Sequence, residues 1–508
     1  MNIKNIFIYS GITVLLAMIV LTILANRDLK RIYGGLTEQV NLSQFDTATT
    51  PVVITNATIL APEGDRFLSW QTITIENGLI TSLSSREDTP PEYSVIDAQG
   101  KFIIPGLVDA HVHLFKSPND LLLYVANGVT QVRELIGEDD HLRWRKNVQK
   151  NGIGPDMFIA SPRVGSFGFM QGKFMEWSQG YINLTNAKEA ETAVKKFHEQ
   201  GYDAVKIYSQ INRETYEAVA STASELGMKV VGHVPWELEL SDLYGRQDGI
   251  GHLEEIMNAF DREFGEFGYD STDEFLSYVE IRSYEVAAEL LKHDLAITTT
   301  LWLVESFVEQ KTDLDKVLKE IELEYENPGI SEWSTTSPRG IGWLPEVNRY
   351  KWPDEWDQER REKSRNYWET YAKACAVIVK ILSDKGVRIM TGTDANLPPT
   401  VPGFSLHREF ASLEKAGMSA AQILRSATSV PAAWLDNNAG EISVGKKANL
   451  VLLDRDPLLD ISHTKLINSV ILNGRVLDRT VLDRMLAAVK EANDNSRRED
   501  ISHYSHSH

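Results

Sequence analysis

The chain alternates apolar strand-like runs with amphipathic helical patterns, is framed at both ends by further β-type runs, and is led by one long uncharged stretch. Residues 52–60, 72–75 and 95–96 are short β-type runs separated by turn signals such as Glu63-Gly64-Asp65 and Asn77-Gly78. A matching set returns at 449–453 and 469–472, the second ending at Asn473-Gly474. Runs that bracket a long middle predict one small β-sandwich domain assembled from 51–102 and 438–480. The middle holds eight apolar runs, at 102–108, 128–135, 156–160, 204–208, 229–234, 249–253, 296–301 and 387–393. Helical periodicity at 187–199, 213–226 and 284–293 lies between several of them. Eight strands with crossover helices are what an α/β chain needs for a (β/α)8 TIM barrel, here 103–437, although an open doubly wound sheet alternates in the same way. The acidic, Trp- and Tyr-rich segment 255–366 is far longer than an ordinary connection. It is expected to form a helical insertion after strands six and seven, and to cap the mouth to which those loops belong.

The leading stretch, Ile6 to Ala25, carries no charge over about twenty residues, enough to cross roughly 30 Å of hydrocarbon as a helix. It ends in Leu-Thr-Ile-Leu-Ala-Asn, a poor match to a small-x-small cleavage site. Residues 1–27 therefore read as an uncleaved membrane anchor, with a cleaved signal and a buried helix as the alternatives. Lys4 precedes the stretch while Arg27, Lys30 and Arg31 follow it, which leans weakly towards a cytoplasmic body. Residues 28–50 read as a polar spacer. Residues 481–508 read as a C-terminal tail, helical over 481–491 and then a solvated end.

A formal net charge of -20 over 508 residues argues against a nucleic-acid partner, since phosphate binding relies on clustered Lys and Arg. The single cysteine, Cys375, leaves no internal disulfide and no cysteine-rich metal site. Any metal must be held by His, Asp, Glu or a less usual ligand. The sequence also admits a homo-oligomer.

Candidate chemistry begins with His111 and His113, near the end of the apolar run that contains Pro105-Gly106. In a strand, positions i and i+2 project from one face about 7 Å apart, so two imidazoles can close on one ion. The spacing alone fits two partly exposed strand-end histidines equally well. Lys206, His233, His252 and Asp394 each lie at or near the C-terminal end of another predicted barrel strand. Barrel strand ends point to one mouth and metal ligands must converge, so the six residues together form one candidate site.

The run Ile104-Pro-Gly-Leu-Val-Asp-Ala-His-Val-His113 resembles the opening signature of the amidohydrolase superfamily, and Thr391-Gly-Thr-Asp-Ala395 resembles its closing one. The resemblance spans roughly Val52 to Asp478. It includes Gly128–Glu134, Leu406-His-Arg-Glu409 and Gly445–Asp454. Val205-Lys-Ile-Tyr208, Val230-Val-Gly-His-Val-Pro235 and His252-Leu-Glu254 resemble the imidazolonepropionase-like and Xaa-Pro dipeptidase (prolidase)-like branch. That resemblance implies a two-metal site: His111, His113 and Asp394 on the more buried ion, His233 and His252 on the second. Lys206 would bridge them as an N-carboxylated lysine, because an ammonium cannot ligate a cation. Imidazole and carboxylate ligands suit zinc, and manganese or cobalt would also fit.

The activity implied is hydrolysis of an amide, in a peptide or a cyclic amide and including an Xaa-Pro dipeptide, by a metal-bridging hydroxide, with Asp394 moving the proton. The resemblance also leans towards an exported, extracytoplasmic body, which leaves the orientation open. Tyr208-Ser209 replaces a commoner Gly-rich pattern, and 161–167 lacks a His-Gly pair frequent in that branch. Both departures leave the substrate class open. Tyr208 is a candidate to donate to a substrate oxyanion or to pack against strand five. His407 is a candidate to orient a substrate group or to support the structure. A one-metal deaminase would need a Glu shortly after the strand-five His, where only Glu237 stands, four positions on. A catalytically inactive barrel serving as a binding module would have lost ligands, whereas all six positions are occupied.

Overall fold

The computed structural model describes residues 3–45, 50–85, 92–332 and 342–504. The N-terminal part supplies β1 (Val52–Leu60), β2 (Phe67–Glu76), β3 (Leu79–Ser84), β4 (Ser94–Asp97) and β5 (Phe102–Pro105). The middle supplies β6 (Leu107–Val112), β7 (Val129–Glu134), β8 (Asp156–Gly165), β9 (Ile182–Asn183) and β10 (Ala204–Ile207). It continues with β11 (Lys229–Gly232), β12 (Gly249–Ile250), β13 (Ala296–Thr298) and β14 (Ile389–Met390). The C-terminal part returns as β15 (Leu450–Leu453), β16 (Ile467–Leu472) and β17 (Arg475–Asp478).

The two ends build one sheet, in the order β17-β16-β15-β5-β1-β2-β3 with β4 against β1. Its seam is the antiparallel pairing of β15 with β5, Leu450 opposite Pro105 and Leu453 opposite Phe102. Apolar residues such as Ile73, Ile75, Ile103, Val451 and Ile471 are buried along it.

The middle forms a parallel barrel ordered β6-β7-β8-β10-β11-β12-β13-β14, with β9 beside β8. Closure runs from β6 to the segment after β14: Ala110 N donates to Thr391 O (2.9 Å), Asp394 N to His111 O (2.8 Å) and His113 N to Ala395 O (2.8 Å). Gly392 allows that approach, since a Cβ there would stand 2.7 Å from His111 N. Inside, the fully buried Arg133 donates through Nε to Ala110 O (2.6 Å), bonds Thr298 Oγ1 and lies over the Trp434 ring. Burial lowers its pKa to about 9.

The structure refines four expectations. Residues 102–108 are not one strand. The chain breaks at Gly106, where any Cβ would lie 2.1 Å from Thr130 Oγ1, and β5 joins the end-built sheet while β6 opens the barrel. The leading helix, Ile3–Ile32, runs on into the expected spacer, and its Gly11–Ile32 part is long and apolar enough to cross a membrane, with side chains such as Val14, Leu16, Leu21 and Leu24 lying open and Ile32 at its end buried. The rest of that spacer is packed: Thr37 Oγ1 donates to Asn327 Oδ1 (2.5 Å), Val40 N to Asn119 Oδ1 (2.9 Å), and Phe45 is buried. Residues 46–49 lie outside the described residues. The tail is docked rather than solvated, because the helix Arg479–Ser496 packs on Asp120–Ala126, and Ile501 and Tyr504 are buried. Only 505–508 of it lie outside the described residues.

The long connections after β12 and β13 are helical, as their composition predicts. Thr272–Lys292 and Gln358–Asp384 pack together, with the Phe267 ring stacked between Phe275 and Tyr367 at 4.2 and 4.7 Å. The first helix after β13, Leu301–Thr312, is held by Glu409, whose carboxylate accepts from the N–H groups of Thr300 (3.1 Å), Leu301 (2.9 Å) and Trp302 (2.7 Å). Glu409→Gln replaces one acceptor oxygen by a donor facing those N–H groups. It should cost about 1–3 kcal/mol, read as a lowered Tm in thermal unfolding.

Candidate metal centre

The closure of β6 onto the segment after β14 brings the first three candidates together. Asp394 Oδ1 lies 2.7 Å from His113 Nε2 and 3.3 Å from His111 Nε2. All three side chains are buried. Asp394 sits at φ 57, in the left-handed region that non-glycine residues rarely adopt, and its N–H bond to His111 O holds it there. A second group forms where β11 and β12 end: His233, His252 and Glu255, whose ligand atoms lie within 4.8 Å of one another. The two groups abut. The His252 ring is 5.6 Å from His111 and 5.0 Å from His233, centroid to centroid. Lys206, from β10, is fully buried between them.

Neighbouring groups fix how the rings present themselves. Gly251 O accepts from His111 Nδ1 at 2.7 Å, which leaves Nε2 as the free lone pair facing Asp394. Ser209 Oγ lies 2.7 Å from His233 Nδ1, so the ring turns Nε2 towards the cavity. Glu134 accepts from Leu114 N (2.5 Å) and Ile136 N (2.6 Å) and stands 3.8 Å from His113 Nδ1. Asp109 accepts from Thr393 Oγ1 (2.7 Å) and Thr393 N (3.1 Å), tying β6 to the Asp394 segment. Carboxylates behind metal-ligating histidines orient the rings and raise their basicity.

The electrostatics favour neutral His111, His233 and His252 beside an ionised Asp394, whereas at His113 burial is outweighed by the Asp394 and Glu134 carboxylates, which raise it above the usual range. Burial holds His111 and His233 well below the usual histidine range and takes His252 to about 4; the Lys206 ammonium pushes all three the same way. Burial opposes ionisation of Asp394, yet His111 and His113 override it and hold its carboxyl well below the usual range. Burial lowers Lys206 to about 8, which enlarges its neutral, nucleophilic fraction near neutral pH. Burial raises Glu255 to about 7, and its oxygen stands 3.4 Å from His233 Nδ1.

Divalent cations fit this donor set. His111 Nε2, Lys206 Nζ and His252 Nδ1 are buried without a hydrogen-bond partner among the described residues, a costly arrangement unless another species satisfies them. The cavity before them has a volume of about 400 Å³. Arg163, Tyr208 and Arg349 line it, and Arg349 is the contribution of the predicted cap segment. Part of the remaining wall is unforeseen: Leu29, Ile32 and Tyr33 of the leading segment, and Phe174, Ser178 and Gln179.

The chain matches the amidohydrolase family over residues 102–477. It belongs to that family. The resemblance read from its motifs is borne out, as is the barrel with its end-built sheet. No curated protein sequence matches the amidohydrolase chain. Among solved structures it is similar to a bottromycin amidohydrolase, with 20% identity, a TM-score of 0.66 and coverage of 91% of this chain and 96% of that one. It is also similar to an Xaa-Pro dipeptidase with methionine bound in its active site, at 18% identity, TM-score 0.58, and 84% and 100% coverage. A third is the A. niger ochratoxinase, at 15% identity, TM-score 0.60, and 85% and 96% coverage.

Of the candidates, His113, Lys206, His233 and Asp394 line the cavity, His111 and His252 complete the two groups beside it, and the Tyr208 ring lies tilted against His233, centroids 4.0 Å apart. His407 is not among them. Its ring is buried away from the cavity lining and engaged at both nitrogens, with Thr464 Oγ1 (2.9 Å) and Asn127 O (3.1 Å), contacts that tie structural elements together. Glu237, the residue a deaminase would require, is exposed and accepts from Arg213 N instead. Sequence reading missed Glu255, one residue beyond the quoted His252-Leu-Glu254, and left Glu134 without a role.

Ser209→Ala would free the His233 ring to rotate. It should weaken binding of a cation at His233 by about 10–100-fold in a competitive chelator titration, with little change in Tm. His407→Phe should lower Tm while leaving the affinity for that cation unchanged in the same titration.

Proposed function

We propose that this amidohydrolase cleaves the C–N bond of a small-molecule amide or peptide, an Xaa-Pro dipeptide included, using two divalent cations. The observation that supports the reading is the pair of adjoining His/carboxylate groups around a buried lysine, at the C-terminal mouth of a barrel. His111, His113 and Asp394 would hold one cation, and His233 and His252 the other. Zinc suits this set of imidazole nitrogens and carboxylate oxygens. Lys206 is read as N-carboxylated: its neutral amine adds to carbon dioxide, forms an N–C bond and releases a proton. The product is a carboxylate on a long stem, able to face both groups. Cations held there supply Lewis acidity towards a carbonyl oxygen and lower the pKa of a water they bind.

The chain's own groups then direct the reaction. Asp394 Oδ takes the proton of the attacking water and hands it to the leaving nitrogen. Tyr208, on the cavity wall against His233, donates to the developing oxyanion. Arg163 and Arg349 give the cavity two guanidinium groups, suited to a substrate that carries a carboxylate. Arg163 is braced by the Tyr181 ring at 4.6 Å. In this reading the leading helix anchors the catalytic body to a membrane.

Metal analysis of the purified chain should return near two equivalents per chain. The loaded enzyme should hydrolyse at least one class among dipeptides, N-acyl amino acids and cyclic amides. Asp394→Asn should lower kcat by about 10²-fold or more while cations stay bound. Turnover confined to lactones or phosphoesters would overturn the amide reading, and full turnover by Asp394→Asn would overturn the role of that residue.

A further inference from the structure

The unforeseen wall of the cavity carries a second consequence. The helix Phe169–Gln179, which follows β8, leaves Phe169, Met170, Phe174 and Trp177 exposed at 75%, 78%, 57% and 47%. At 100° per residue these four positions fall within an arc of about 140°, one continuous apolar face. A short helix does not keep such a face in water without reason, and exposed apolar patches mark interaction surfaces.

Two hydrogen bonds fasten this helix to the leading one. Trp177 Nε1 donates to Asn26 Oδ1 (2.7 Å), and Tyr33 Oη donates to Ser178 O (3.1 Å). Asn26 stands where the apolar stretch gives way to Arg27, Lys30 and Arg31. Above it run the exposed Val14, Leu15, Leu16, Val20, Leu21 and Leu24, in a helix whose apolar part is long enough to cross a membrane. The apolar face is thus continuous with the one segment among the described residues that is built to meet hydrocarbon. Its Trp lies level with the change from apolar to basic residues, the position Trp takes at a membrane–water interface. Arg27 and Lys30 are exposed at the same level and match anionic headgroups.

We propose that Phe169–Gln179 is a second membrane contact, seated in the headgroup region of a bilayer beside the leading helix. The cavity then opens at the membrane surface. Leu29, Ile32 and Phe174 line the cavity itself, so apolar side chains of both helices reach from the lipid face to the cavity that Lys206, His233 and Asp394 also line. This holds whichever bond is hydrolysed, and it goes beyond a simple tether. A tether would let the body stand clear of the bilayer, whereas this contact fixes the mouth against it.

The test uses the full chain in vesicles of phosphatidylcholine and phosphatidylglycerol. Met170→Cys is labelled with an environment-sensitive fluorophore; Cys375 is buried and stays unlabelled. Ser224→Cys, exposed at the end of the helix Arg213–Glu225 and beside the start of β11, at the end of the barrel away from the ligand groups, serves as control. Lipids bearing a nitroxide near the headgroup should quench the Met170→Cys label severalfold and leave the Ser224→Cys label unchanged. Equal quenching of both labels by aqueous iodide, with neither touched by nitroxide lipid in vesicle-bound protein, would overturn the proposal. So would a Met170→Cys label shielded from both quenchers, which would mean that a second copy of the chain covers the face.

Discussion

The site depends on the backbone bonds that close the barrel. Ala110, His111 and His113 meet Thr391, Asp394 and Ala395 across the join, so the strand carrying two imidazoles and the segment carrying the carboxylate are hydrogen-bonded neighbours. No side chain has to reach across the mouth to make this group. Asp109 reinforces the join from within by accepting from the backbone and side chain of Thr393. Removing either backbone partner would leave buried N–H groups unsatisfied and shift the ligand atoms at once, which couples folding directly to the geometry of the centre.

Around that join the protein concentrates charge where burial is expensive. Lys206, Asp394, Glu255 and Arg133 are all buried, and each is perturbed in the direction that burial or its neighbours impose. Such groups are tolerated only where they are paired, bonded or ligating. Arg133 bonds Ala110 O and Thr298 through Nε and Nη2, with only Nη1 left without a partner among the described residues, and is structural. Lys206 lacks a hydrogen-bond partner among the described residues, and that contrast separates a core cation from a functional one.

Much of this was legible in the sequence, for physical reasons. Strand periodicity and turn residues located the two sheets because the apolar runs are short, bounded and buried. The six ligand candidates stood out because strand ends of a barrel converge. Pro105-Gly106 marked the passage from the β-domain into the barrel, but Phe102–Val108 still read as one strand, and only the approach of Thr130 shows why the chain must turn within it. His407 was ambiguous because a histidine in a helix gives no sign of whether its nitrogens meet backbone or solvent. The wall formed by Tyr33 and Phe174 comes from segments far apart in the chain with no shared motif. The docked tail escaped notice for a similar reason: Tyr504 sits among polar residues and is buried by what it meets, donating to Asp315 at 3.0 Å.

The seam between β5 and β15 sets an order of events during synthesis. β5 pairs with β1 as soon as both have emerged, but its other edge is completed only by Leu450–Leu453, after the whole barrel has been made. Until then Phe102–Pro105 presents an open row of peptide groups to any extended segment nearby. The nascent polypeptide is therefore most exposed to pairing with the wrong strand late in translation, when the catalytic body is almost complete and its last sheet edge is still bare.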